Sequence, residues 1–144
     1  MKGDRLYKRA YQLALNGEDQ KAFELLKKAI KYNNPKALYA LATWYLHGHV
    51  VKKNIPKGIE LLKEAAKYNH PDALFDLAVS YEKGLGVDKN LKKAFEYYLK
   101  AALRNEKQSF YEVGRCYYYG IGTKKDKKIA EIWLYRAEEL GITE

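Results

Sequence analysis

His47-x-His49 is the pair in this sequence that comes nearest to metal-ligand spacing, and His70 adds a third imidazole. A structural zinc ion takes four donors, drawn from Cys, His and carboxylates. No Asp, Glu or Cys stands at ligand spacing from this pair, so it reads as two solvated turn histidines. Cys116 is the single cysteine. One thiol excludes an internal disulfide framework and a thiolate-rich zinc site. With no His or Asp close to it in the chain, it reads as an inert thiol, buried or half-buried, rather than a nucleophile. Gly84-Leu-Gly86 and Gly120-Ile-Gly122 have the Gly-x-Gly form, yet they join helix to helix, whereas phosphate loops join strand to helix. Paired carboxylates and Ser-His arrangements are absent as patterns. The expectation is a chain without catalysis, cofactor or metal.

The elements that position these residues repeat. Lys36 to Pro71 aligns without a gap on Asp72 to Lys107, with fourteen of 36 positions identical, and 108–144 continues the register. Leu41, Leu77 and Val113 share a column, as do Ala42, Ala78 and Gly114, and Tyr45, Tyr81 and Tyr117. Gly48, Gly84 and Gly120 form a fourth column. Ala22 and Ala29 fall in register with Gly58 and Ala65, so about 2–35 is another copy with a shorter inner turn. The repeats are therefore about 2–35, 36–71, 72–107 and 108–144. Each reads as two helices: Ala73, Leu74, Leu77, Ala78 and Tyr81 recur at helical spacing, then Leu91, Ala94, Phe95, Tyr98 and Ala101. Asn54, Asn90 and Asp126 stand where an N-cap belongs. Asn33, Asn69, Asn105 and Gly141 stand where a helix ends in the left-handed conformation. Pro35 and Pro71 then stop the chain from continuing as helix. One helix pair cannot bury its apolar face alone, so neighbours must stack. The expected fold is all-α: a right-handed solenoid of four antiparallel helix pairs, eight helices in one domain over 1–144.

The pattern Leu77-Ala78…Tyr81…Gly84-Leu-Gly86…Asn90…Lys93-Ala94…Tyr97-Tyr98…Ala101-Ala102 resembles the Sel-one-like repeat, a relative of the tetratricopeptide repeat. The third full copy resembles it through Gly120-Ile-Gly122, Asp126, Ala130, Trp133 and Ala137. The copy over 36–71 departs at Val50, where a second turn glycine belongs. The resemblance implies a scaffold or adaptor that binds proteins. Some bacterial relatives are cysteine-rich, secreted and β-lactam-binding; with Cys116 alone, that activity is not carried over, and a secreted ligand-binding or β-lactamase-like protein is kept as an alternative.

The resemblance also implies that the first helix of each pair lines a concave groove. By register that groove holds Tyr7, Tyr39, Phe75 and Tyr111 in one column, and Tyr11, Thr43, Val79 and Arg115 in the next. His47, Lys83 and Tyr118 lie near its lip. Rigid aromatics with hydroxyl tips suit a bound peptide. The same column equally suits packing between repeats, and one ring can do both. The formal net charge is +9, from 27 basic and 18 acidic residues. Such a field favours an acidic protein or peptide partner. Much of the excess falls on second helices, at Lys27, Lys28, Lys31, Lys92, Lys93 and Lys100, and reads as a solvated convex face. Nucleic-acid binding is a further alternative, weakened by Lys–Glu pairing and the lack of an Arg-rich motif. No apolar run is long enough for a transmembrane helix and the first residues do not form a signal peptide, so a cytoplasmic protein without membrane partners is expected. The last helix offers Ile129, Ile132, Trp133 and Tyr135, which suggests weak self-association there.

Overall fold

The computed structural model describes residues 1–143 and contains eight helices and no strand among them. Glu144, the last residue of the fourth repeat, lies outside the described residues. The chain divides into two compact units, Met1–His70 and Pro71–Glu144. The first holds α1 (Asp4–Leu15), α2 (Asp19–Ile30), α3 (Pro35–His47) and α4 (Ile55–Lys67). The second holds α5 (Pro71–Lys83), α6 (Leu91–Leu103), α7 (Lys107–Tyr119) and α8 (Lys127–Glu139). This is the all-α, helical-repeat architecture of a solenoid.

The capping chemistry explains the helix ends. The side chains of Asn54, Asn90 and Asp126 accept from Lys57 N, Lys93 N and Ile129 N, each at 3.0 Å. Each satisfies an amide that the first helical turn leaves orphaned. Asn33, Asn69, Asn105 and Gly141 adopt φ of 56°, 61°, 66° and 82°. Pro35 and Pro71 play a different part from the one expected. They open α3 and α5, because Asn33 and Asn69 have already ended the preceding helices, and a missing N–H costs nothing at a first helical position.

Between α3 and α4, α5 and α6, and α7 and α8 the same turn recurs. Its third residue is Val50, Gly86 or Gly122, with φ of 66°, 73° and 68°. Val50 thus takes the left-handed geometry of its glycine counterparts although a β-branched residue is strained there, at a cost of about 1–2 kcal/mol. The amides of Asn54, Asn90 and Asp126 donate back to the carbonyls of Tyr45, Tyr81 and Tyr117 at 2.9, 2.8 and 2.9 Å, which closes each turn identically.

Small residues set how closely the helices approach. Ala10, Ala22 and Ala42 are buried in the first unit, and Ala78, Ala94 and Ala130 in the second. A methyl group at Gly58 or Gly114 would run into Leu46 or Leu134 of the partner helix. Leu41 and Leu62 in the first unit, and Leu74, Leu77 and Val113 in the second, are the largest fully buried apolar side chains. Within each unit a second helix also packs on the next first helix. The Phe23 ring meets Tyr45 edge-on at 6.5 Å, and Phe95 meets Tyr117 in the same way at 5.2 Å.

Candidate functional site

The first unit presents its expected groove residues from α1 and α3. Tyr7 is half-buried and tilts against Tyr11, 6.5 Å away, which is 54% exposed. Burial, and the second phenol beside it, push the Tyr7 hydroxyl above its ordinary range. Tyr39 is half-buried and stacks on His70 at 4.7 Å. Thr43, one helical turn on, donates its hydroxyl to Ala40 O at 2.7 Å. His47 is exposed. The three imidazoles do not converge on one donor set. His49 packs edge-on against Trp44 at 5.2 Å while His70 lies on Tyr39.

The second unit presents Phe75, Val79 and Lys83 from α5, and Tyr111, Arg115 and Tyr118 from α7. Phe75 and Val79 are half-buried, and Phe75 packs edge-on against Tyr98 of its own helix pair at 5.7 Å. Lys83 is exposed. Tyr111 is half-buried and lines a cleft with Leu134, Glu138 and Ile142. Tyr118 sits under the Lys127 ammonium, 5.2 Å from its ring, with Tyr119 against its edge. All four rings of the column are half-buried, with Tyr39 covered by His70 and Phe75 by Tyr98.

Arg115 belongs to a network that sequence reasoning missed. Its Nη2 donates to Glu82 Oε1 and Oε2 at 2.7 and 2.9 Å, and its Nε to Glu112 Oε2 at 2.8 Å. Tyr98 donates its hydroxyl to Glu82 Oε1 at 2.8 Å. Burial pushes the Glu82 carboxyl up, but the hydrogen bonds from Arg115 and Tyr98 outweigh it and hold the group below its ordinary value. Burial, reinforced by the bond to Glu82, pushes the Tyr98 hydroxyl well up. Two carboxylates against one guanidinium make this patch negative, so Arg115 adds no anion-attracting charge to α7. The sequence signal was present: Glu112 stands three residues before Arg115, and Glu82 lies 33 residues back, one turn from Arg115's own column in the preceding repeat.

Cys116 is fully buried, and burial pushes its thiol up to about 12. A thiol held there has little thiolate at neutral pH and is a poor nucleophile. No group of three or more His, Cys, Asp or Glu side chains gathers at metal-binding distance among the described residues. No described helix is long and apolar enough to cross a membrane.

Four tandem helical hairpins with these turns define a helical-repeat scaffold. The model of the Sel1 repeat matches residues 6–31, 35–70, 71–106 and 111–142, and the chain belongs to that family. Among solved structures, a Sel1 repeat protein from Oxalobacter formigenes superposes with a TM-score of 0.87 at 28% identity, over 96% of this chain and 58% of that one. A protective antigen of uropathogenic Escherichia coli gives a TM-score of 0.88 at 23% identity, a likeness of fold, over 96% of this chain and 31% of that one. Cysteine-rich protein B of Helicobacter pylori gives 0.62 at 32% identity, over 81% of this chain and 88% of that one. The chain thus spans less than two thirds of the first two structures. A comparison with curated proteins gave no match. Sel1 repeat proteins generally act as non-catalytic scaffolds for protein–protein interaction.

Proposed function

We propose that this protein is a non-catalytic interaction module whose first helices bind a peptide or protein segment. One observation carries the reading: half-open aromatic side chains recur at one register position, Tyr7 and Tyr39 in the first unit and Phe75 and Tyr111 in the second. They offer contact area with few rotors to freeze. The net charge of +9 favours an acidic partner. Replacing Tyr39, Phe75 and Tyr111 together by Ala tests the reading in a pull-down from the source cell. Loss of a specific partner with helicity and melting largely retained supports it. Melting that falls in step with binding makes the column structural and overturns it.

The same module self-associates weakly through α8. Ile132 and Tyr135 are 69% and 65% exposed, and Ile129 is 37% exposed, whereas Trp133 packs on Phe110 at 5.6 Å. Light scattering should show mass rising with concentration; a monomer at high concentration contradicts this.

A further inference from the structure

In the first unit, α2, α3 and α4 enclose a cleft of about 650 Å³. Ile30, Leu41, Tyr45 and Leu61 form its floor, and Lys27, Lys28, Lys31 and Lys57 stand around it. Glu24 is the one carboxylate in the lining. It pairs with Lys27 at 3.5 Å, and Lys57 pairs with Glu60, outside the cleft, at 3.9 Å. Both pairs are exposed, so they are weak and yield readily to a competing anion. Lys28 and Lys31 make no ion pair among the described residues. Four ammonium groups against one lining carboxylate leave a strongly positive rim over an apolar floor.

The fold does not require these lysines. Seventy-two residues on, in the second unit, the positions of Lys27, Lys28, Lys31 and Lys57 hold Leu99, Lys100, Leu103 and Ile129. The helices are the same and three of the four cations are gone. Thirty-six residues on, the same positions hold Lys63, Glu64, Lys67 and Lys93, so the cations persist in that copy and are largely lost only in the last.

We propose that the cleft binds an acidic peptide segment that inserts one aliphatic or aromatic side chain between flanking carboxylates. The volume lies in the range of small-ligand pockets and has room for such a side chain. The floor offers an inserted chain burial, and the ammoniums meet carboxylates on either side of it. A single-stranded nucleic acid fits less well, because it needs open aromatic faces for stacking. The one aromatic ring in the lining, Tyr45, is already met edge-on by Phe23. This site is lined by α2, α4 and the Leu41–Tyr45 side of α3, and it shares none of the residues Tyr7, Tyr39, Phe75 and Tyr111 of the surface proposed above.

The test is an NMR titration of the full chain with two acetylated, amidated heptapeptides, Glu-Asp-Glu-Phe-Glu-Asp-Glu and its Gly-centred counterpart. The Phe peptide should shift Ile30, Leu41, Tyr45 and Leu61 and bind about tenfold more tightly than the Gly peptide. Lys28→Glu/Lys31→Glu and Lys28→Ala/Lys31→Ala should each weaken it about tenfold or more with melting unchanged, while Lys28→Arg/Lys31→Arg retains binding. Equal binding of the Gly peptide overturns the proposal. So do no shifts at the floor residues up to roughly millimolar peptide, shifts confined to Tyr39, Phe75 and Tyr111, or tighter binding of an oligothymidylate to the same residues. The aromatic triple variant keeps this binding if the two sites are separate, so failure of one reading leaves the other standing.

Discussion

Met1–His70 and Pro71–Glu144 each fold two hairpins with the same inter-helix ring contact, yet they differ at three matched places. Where the first unit has lysines around an apolar cleft, the second has Leu99, Leu103 and Ile129. Where the first has Thr43 bonded to its own helix, the second has Arg115 joining Glu82 of α5 to Glu112 of α7. Where the first forces Val50 into a left-handed turn, the second has Gly86 and Gly122. Backbone plan and surface chemistry are thus specified separately. Small residues, caps and turn geometry repeat because helix packing demands them, whereas the exposed columns are free to diverge.

The turns give the sharpest way to break this comparison. Gly122 lies against the Leu91 carbonyl at a positive φ, so Gly122→Val adds strain and a backbone clash together. Urea denaturation should show a loss of about 3 kcal/mol or more; a neutral result would mean that the turn relaxes freely. Next comes Arg115→Ala, which leaves Glu82 and Glu112 half-buried without their cation, for a loss of about 2 kcal/mol at pH 7. The wild-type Glu82 carboxyl is held below its unfolded value, so its contribution is present above that value and fades as pH falls through the folded one. In the variant the Tyr98 hydrogen bond remains but the Arg115 bonds and charge are gone, so burial weighs more on Glu82 and protonation comes more easily than in wild type. The gap between wild type and variant should therefore shrink in acid, as denaturation at pH 7 and pH 4 would reveal.

The reverse experiment in the first unit is Val50→Gly. Relief of the left-handed strain exceeds the added chain entropy, and a stabilisation of about 1 kcal/mol is expected from the melting curve. A loss would show that the Val50 side chain contributes more by packing than its backbone costs. The smallest effect belongs to Leu103→Lys/Ile129→Lys, which writes first-unit chemistry onto the second. Both side chains are exposed, so stability should move by no more than about 0.5 kcal/mol. Light scattering at high concentration should then show less association through the neighbouring Ile132 and Tyr135.

The fold was legible in the sequence because its determinants are local and recur. Asn54, Asn90 and Asp126 announce helix starts by their own hydrogen-bonding chemistry, and Asn33, Asn69 and Asn105 announce helix ends by their tolerance of positive φ. The role of Pro35 and Pro71 was misread because one residue can follow a helix and open the next. Two further caps escaped notice. Asn34 accepts from Ala37 N while its amide donates to Asp4 and to Lys2 O, and Glu106 accepts from Ser109. These bonds depend on partners that periodicity does not reveal. The aromatic columns were legible as positions, and rings with one covered side were anticipated, but not which neighbour covers each, as His70 does Tyr39 and Tyr98 does Phe75. The Arg115 network joins consecutive repeats, and the lysine cleft needs α2, α3 and α4 together. Neither can be read from one helix at a time, which is why Lys27, Lys28 and Lys31 read as a plain solvated face.

Hydrogen–deuterium exchange of the protein alone and bound to its captured partner tests the interaction account most directly. It predicts slowed exchange in the first helices that carry Tyr39, Phe75 and Tyr111. Unchanged exchange in all of α1, α3, α5 and α7, with protection only elsewhere, would contradict it.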